Sequence, residues 1–396
     1  MKRYLFIFLL AQICGVSAVC AAAKQPSKAT VFFYRAGRWI DQFELSGLDT
    51  NYINLPERSW RVAQTSSLVG INNTYTTWAD PSTPIPLRAR TTPSVELGFN
   101  ASYRGLGGGY SWDVLNAYTT NWNLSLGSKG MGIEFMRNVS TNLQGRFQDN
   151  YGPTLNKGEF RISNISLTAW YALNSKHYCH HAATKQNYIQ RKTAGSLLLS
   201  VAYMSSEMKI LDTLKFIKDE DMSTLVDGVT GMITRQVAVG IGYGINYTPN
   251  QGKVLLHLAA NMQVVCYSIN HISYAPPTTV RLPGEPQYVL RPASPVHVTG
   301  TLRSAVSWEI CEWAHLSLWA QANHLGFSSK GGDMSALSID NWHWQVHLNI
   351  GVRFGASKKR IRQVLGEPEK PAKPAPTTPK SKMPLWVTDY FFSSSL

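Results

Sequence analysis

The chain has 396 residues, of which 44% are hydrophobic, 11% aromatic and only 16% charged, against roughly 25% charged in an average soluble domain. Past residue 23 no run reaches the ~18 continuous apolar residues of a membrane-crossing helix, which excludes a helical membrane protein. The formal charge of +14 divides into +2 in the leader, +5 after Gly355 and +7 over everything between; no basic cluster is interleaved with aromatics, so no nucleic-acid partner is expected.

In chain order, residues 1–23 read as a secretory signal peptide. Lys2 and Arg3 form its positive end, Leu5 to Val19 its apolar stretch, and Ala21-Ala22-Ala23 its small-residue cleavage site. Cleavage there leaves Cys179, Cys266 and Cys311, too few for a disulfide scaffold. Residues 24–59 form a mixed N-terminal segment with a short amphipathic element, read as a periplasmic piece that could plug a barrel.

From Trp60 to Gly355 the period is two. Val95, Leu97, Phe99, Ala101 and Tyr103 alternate with Glu96, Gly98, Asn100, Ser102 and Arg104. Val237, Val239, Ile241, Tyr243, Ile245 and Tyr247 alternate with Gln236, Ala238, Gly240, Gly242, Gly244 and Asn246. The clearest strand is the last. Trp342, Trp344, Val346, Leu348, Ile350, Val352 and Phe354 make one face, and His343, Gln345, His347, Asn349, Gly351 and Arg353 the other. A soluble sandwich buries such an apolar face, whereas a membrane barrel turns it to lipid. Segments of ten or more residues match the ~9–11 that cross a bilayer at a tilt. Aromatics gather at strand ends, and tight joints alternate with long polar loops at 271–295 and 328–340. The expected fold is an all-β, transmembrane, antiparallel up-and-down barrel filling residues 60–355. Strand starts near 60, 94, 106, 129, 139, 160, 194, 235, 252, 296, 313 and 341 give about twelve strands, within a range of ten to fourteen. Beyond it, residues 356–396 form a Pro/Lys-rich periplasmic tail. Its basic cluster Lys358, Lys359, Arg360 and Arg362 falls at headgroup height, its proline run is extended, and its Trp386–Phe392 tip could dock on a periplasmic partner.

The polar rows carry the candidate lumen-lining residues: Glu96, Arg104, Glu134, Arg146, His257, Arg303, Glu309, His343, His347 and Arg353. Charges of both signs on facing walls either brace a barrel shut or line a narrow polar pore; the sequence leaves both open. Gly240, Gly242 and Gly244 leave lumenal space, which favours the pore. His177, Cys179, His180 and His181 are ligand types for zinc or copper. However, adjacent histidines face opposite ways on a strand and no carboxylate lies near, so they read as a solvated loop or strand end, and no metal or cofactor is assigned. No Gly-x-Ser-x-Gly elbow occurs, and the chain is not expected to be an enzyme. Gly105-Leu106-Gly107-Gly108-Gly109 lacks the lysine of a phosphate loop and reads as a tight turn.

Three stretches carry a family resemblance: Asp49-Thr50-Asn51-Tyr52-Ile53 with Trp60, the joint Tyr103-Arg104-Gly105-Leu106-Gly107, and the run Gln190-Arg191-Lys192-Thr193-Ala194-Gly195-Ser196. Together, over roughly 48–355, they resemble an uncharacterised Bacteroidetes family of outer-membrane barrels, domain-of-unknown-function family 4421. The resemblance implies fold and an outer-membrane location and brings no catalytic residues. The expected partners are outer-membrane lipid and the barrel-assembly machinery. A pore or transport barrel is the leading functional class, followed by a closed interaction barrel and a barrel-wall lipid enzyme.

Overall fold

The computed structural model describes residues 28–80, 83–91, 93–115, 119–128, 130–141, 143–147, 154–211, 229–249, 252–274, 287–290, 297–328 and 337–366. The expected signal peptide, the proline run and the Trp386–Phe392 tip lie outside them, as does most of the 275–296 loop.

Alternating residues dictate extended chain, and extended chain must pair every backbone group if it is to sit in lipid. Twelve antiparallel strands do so by closing on themselves. In order they are β1 (Trp60–Asp80), β2 (Ser94–Tyr103), β3 (Leu106–Asp113), β4 (Thr119–Ser128), β5 (Met131–Ser140), β6 (Phe160–Ala172), β7 (Ala194–Ile210), β8 (Val229–Tyr247), β9 (Val254–Tyr274), β10 (His297–Cys311), β11 (Ala314–Ser328) and β12 (Leu337–Phe354). Each pairs with its sequence neighbour, and β12 closes on β1 in unbroken register from Leu337↔Thr77 to Phe354↔Trp60. The end holding Trp60 and Phe354 is called the near end below. The wall is uneven: β2 to β5 run 8–10 residues, whereas β1 and β9 run 21.

The expected start near 129 is that of β5, whereas β4 was not expected and the start near 139 is no strand of the ring. β4 was missed because Thr119, Asn121, Asn123 and Ser125 dilute its apolar content, leaving Trp122, Leu124 and Leu126 to mark the outer face. The signal beyond 140 belongs to a short strand, Leu143–Phe147, which pairs with Thr83–Thr91 outside the ring.

The protein is inside out relative to a soluble domain. On β12, Ile350 is 58% exposed while Asn349 beside it, in the lumen row, is 2% exposed. Trp342, Leu348 and Ile350 face outward, and His343, His347, Asn349 and Arg353 are buried. Trp60 packs against Tyr103 and Phe354 on the outside of the near end, with ring centroids 4.5 and 6.2 Å away. No described helix is long and apolar enough to cross a membrane.

Two helices sit at the near end. α1 (Lys28–Leu45) turns Asp41 and Glu44 inward and leaves Phe32, Phe33, Trp39 and Phe43 exposed. α2 (Lys358–Leu365) follows β12 and packs on α1. Ser357 caps its start by accepting from Arg360 N at 3.3 Å, and Gly366 ends it at φ 70°. Lys358, expected to face headgroups, turns inward: its Nζ donates to the Leu55 carbonyl at 2.7 Å, and burial pulls its ammonium down to about 8.

Candidate functional site

β6 and β7 are neighbours in the ring, so a tight turn of two to five residues would join them. The chain instead uses residues 173–193, which fold back into the lumen. This plug pairs Ile189–Gln190 with Ile53–Asn54 of the segment leading into β1. Ile53, Leu55, Cys179, Ala182, Ala183 and Tyr188 form its buried core against Leu255 and Ala305 of the wall. Its polar groups reach walls all round. Asn187 Oδ1 accepts from Ser102 Oγ at 3.0 Å, Tyr188 Oη donates to Glu44 and to the Gly127 carbonyl (3.3 Å), and Asn246 Nδ2 donates to the Cys179 carbonyl at 2.8 Å.

The solvated-loop reading of 177–181 is therefore corrected. Cys179, His180 and His181 are buried. Burial pushes the Cys179 thiol up to about 12, and holds His180 and His181 below the ordinary histidine range. Gly244, read as lumenal space, faces the Tyr178 hydroxyl, which a Cβ there would overlap. Gly240 and Gly242 are likewise closed over by Gln263, Asn261 and the β9 backbone.

Above the plug, two charges meet across the lumen. Glu134 is on β5 and Arg303 on β10, with four strands between them. Their carboxylate and guanidinium form two contacts, 2.7 Å (Nη2–Oε2) and 3.4 Å (Nη1–Oε1), and both side chains are only 9% exposed. Gln321 Oε1 accepts from Arg303 Nε and Nη2 at 3.1 and 2.8 Å. Arg303 Nη1 also lies 3.1 Å from His180 Nε2. Since arginine can only donate, that nitrogen accepts, and His180 Nδ1 carries the hydrogen toward Tyr178 Oη, 3.0 Å away. His181 Nε2 stands 3.2 Å from Glu134 Oε1, and the Trp170 ring packs edge-on against both histidines, 4.6 and 4.7 Å between centroids. The pair is thus locked from the wall and from the plug. Farther along, Asn341 Nδ2 of β12 donates across the lumen to Ser206 Oγ of β7 at 3.4 Å. Between these two crossings lies a cavity of about 110 Å³.

Of the residues singled out in the sequence, the structure brings Glu134, Arg303 and His257 together. His257 Nδ1 donates to Asn246 Oδ1 at 2.8 Å, with its ring 5.0 Å from that of His180. His343 lines the cavity. His347 is stacked on Trp319 (4.0 Å) and bonded to Ser67 Oγ (2.6 Å). Glu96 is fully buried on β2 and accepts from Ser111 Oγ at 2.5 Å. Glu309 and Arg353 pair at 2.6 Å near the plug, and Arg353 Nη2 also donates to the Gln186 carbonyl. Arg104 is not on a strand: it sits in the β2–β3 turn at φ 53° and pairs with Asp41 of α1. Arg146 lies on the short strand outside the ring, opposite Arg88, and its side chain is outside the described residues. Sequence reading missed Tyr178, Trp170 and Gln321 as partners. One signal was available: from Tyr178 to Gln190 only Lys185 is formally charged, unlike a solvated loop. Among the described residues no three of His, Cys, Asp and Glu gather as a metal site.

A family model described as "Domain of unknown function (DUF4421)" matches residues 48–354. No curated protein matches the chain. Among solved structures, the chain is similar to the outer membrane protease OmpT from Escherichia coli, with 11% identity over 76% of this chain and 97% of that one, at a TM-score of 0.37. It is also similar to the outer membrane protein OprG of Pseudomonas aeruginosa (9%; 76% and 100%; 0.25) and to an outer membrane channel of Pseudomonas putida F1 (10%; 77% and 99%; 0.24). The expectation that the chain is not an enzyme does not stand. A protease is among the barrels it resembles, so a barrel architecture gives no ground for excluding catalysis, and at this identity the likeness assigns none.

Proposed function

The chain belongs to the family described as a domain of unknown function (DUF4421), and we propose that it is an outer-membrane barrel of the transport type whose lumen is held shut by its own plug. The exposed Leu, Ile, Val and Trp belt is what lipid would cover, and both flanks of the barrel would then lie on the periplasmic side. The observation that carries the reading is the Glu134–Arg303 pair, which spans the lumen and is contacted by His180 and His181 of the plug. A buried pair of this kind contributes little net stability, but it closes a passage in a way that can be undone.

Conductance in planar bilayers tests this. The wild-type barrel passes little current. A barrel carrying E134Q and R303Q with residues 176–190 replaced by a short Gly-Ser turn shows steady openings. If that variant is folded, judged by heat-modifiable migration, and remains silent, the transport reading falls and a closed interaction barrel replaces it.

A further inference from the structure

We propose that the near end of the lumen holds a small monovalent anion, a halide, between the guanidinium of Arg61 on β1 and the ammonium of Lys185 on the plug. The register sets Arg61 directly opposite Arg353 of β12, and like charges so placed repel. Arg353 is drawn off by Glu309, Arg303 by Glu134 and Arg104 by Asp41. None of these carboxylates is left for Arg61. Among the described residues its side chain has no ion pair and no hydrogen bond, and neither has that of Lys185. Yet Arg61 is only 6% exposed, and the charges that act on it from Arg353 and Lys185 have its own sign.

The two cations face open space. Of the Arg61 nitrogens only Nε is shut off from any surface; its two Nη nitrogens are not, and neither is Lys185 Nζ. Both side chains line one cavity of about 30 Å³ that reaches to the Glu134–Arg303 pair. Its described lining holds three cations, Arg61, Lys185 and Arg303, and one carboxylate, Glu134, which Arg303 already engages. The lining is therefore positive, and cations withdrawn from bulk water are strongly disfavoured until a counter-charge meets them. An anion accepting from Arg61 Nη–H and Lys185 Nζ–H makes charge-assisted hydrogen bonds to both. Size selects among anions. At ~10–15 Å³ per water, a cavity of about 30 Å³ has room for roughly two or three waters. A halide, little larger than one water, fits with a water beside it; the oxygen tetrahedron of phosphate or sulfate does not. Burial, with the charges of Arg303 and Arg61, pulls the Lys185 ammonium below its ordinary value against the opposing effect of Glu134, and an anion beside it favours the charged form. Because Arg61 belongs to the wall and Lys185 to the plug, the ion ties one to the other.

This inference does not depend on transport, because a barrel that never conducts would still hold the ion. The full barrel, refolded in a zwitterionic detergent and halide-free gluconate buffer, is titrated with chloride at constant ionic strength and followed by chloride NMR line broadening. Crystals grown with bromide locate the ion by anomalous diffraction. The broadening saturates, bromide displaces it and phosphate does not, and a bromide peak lies between Arg61 Nη and Lys185 Nζ. Arg61→Gln and Lys185→Gln each weaken chloride binding about tenfold or more while heat-modifiable migration is kept. Lys253→Gln, at an exposed position, leaves it unchanged. Should Arg61→Gln fail to fold, Lys185→Gln on the plug carries the test. Broadening that does not saturate, or bromide peaks at exposed side chains only, means that water alone fills the cavity and overturns the proposal. Equal binding by the folded variants, or displacement of chloride by phosphate, also overturns it.

Discussion

At the near end of the lumen, polypeptide fills the barrel: Tyr178, Ala183 and Ile53 are essentially inaccessible, and wall glycines such as Gly244 are shaped to the plug. Past the Glu134–Arg303 pair, the same wall is lined by amides and histidines bonded mostly to one another, such as Asn261 Nδ2 to Ser200 Oγ and Asn341 Nδ2 to Ser206 Oγ. Both regions are polar by the standards of a core, yet one is packed with polypeptide and the other keeps a cavity of about 110 Å³. The difference teaches where closure sits. Plug contacts fix the barrel's closed state, and the cavity beyond them is the space the plug leaves.

The sharpest way to break the comparison is to remove the boundary between the two regions. Arg303→Ala leaves Glu134 buried without its partner and costs about 3–5 kcal/mol, read from urea unfolding in micelles. E134Q with R303Q together costs much less. If Arg303→Ala costs under about 1 kcal/mol, the pair is hydrated and divides nothing.

The next test reads the near end through Cys179, in a background where Cys266 and Cys311 are serine. The thiolate is the nucleophile, and burial raises the folded thiol to about 12. At pH 8 the folded barrel therefore reacts with a water-soluble maleimide on the order of a thousandfold more slowly than an ordinary thiol of pKa ~8.5, and its rate rises with pH until about 12. Ordinary reactivity at pH 8 would mean that the plug spends its time outside the lumen.

A smaller effect is expected from Gly244→Leu, whose side chain must displace Tyr178. Overpacking of this kind costs about 1–3 kcal/mol and speeds Cys179 labelling; an unchanged labelling rate would show that the plug does not rest on that wall. The smallest effect belongs to the far region. Asn164→Ala removes a side chain with no protein partner and shifts stability by no more than about 0.5 kcal/mol. A larger loss would mean that the cavity wall is structural.

Much of the barrel was readable in the residues, because the face assignment is local. The alternation of Trp342 to Phe354 with His343 to Arg353 gives lipid and lumen sides without knowledge of any partner strand. The twelve-strand count came out because two errors offset: β4 was missed, its apolar row being weak, and the start near 139 belongs to no strand of the ring. The site was less legible. Glu134 and Arg303 were visible as lumen charges, but their meeting depends on ring position and register between residues far apart in the chain. The plug carries no period at all, and His180 and His181 read as solvated because loops ordinarily are.

The pairing of Ile53–Asn54 with Ile189–Gln190, reinforced by Arg191 N donating to the Tyr52 carbonyl at 2.7 Å, has a consequence for how the barrel is assembled. It clasps the chain just ahead of the first strand to the connection between the sixth and seventh, so the two ends of the first half are tied to each other independently of the last strand. By loop-closure entropy the shortcut is small, since roughly halving a long loop is worth only about 0.6 kcal/mol. Its value is geometric. The edge of β1 is presented at a set height and curvature, and β12 meets a template instead of a free strand.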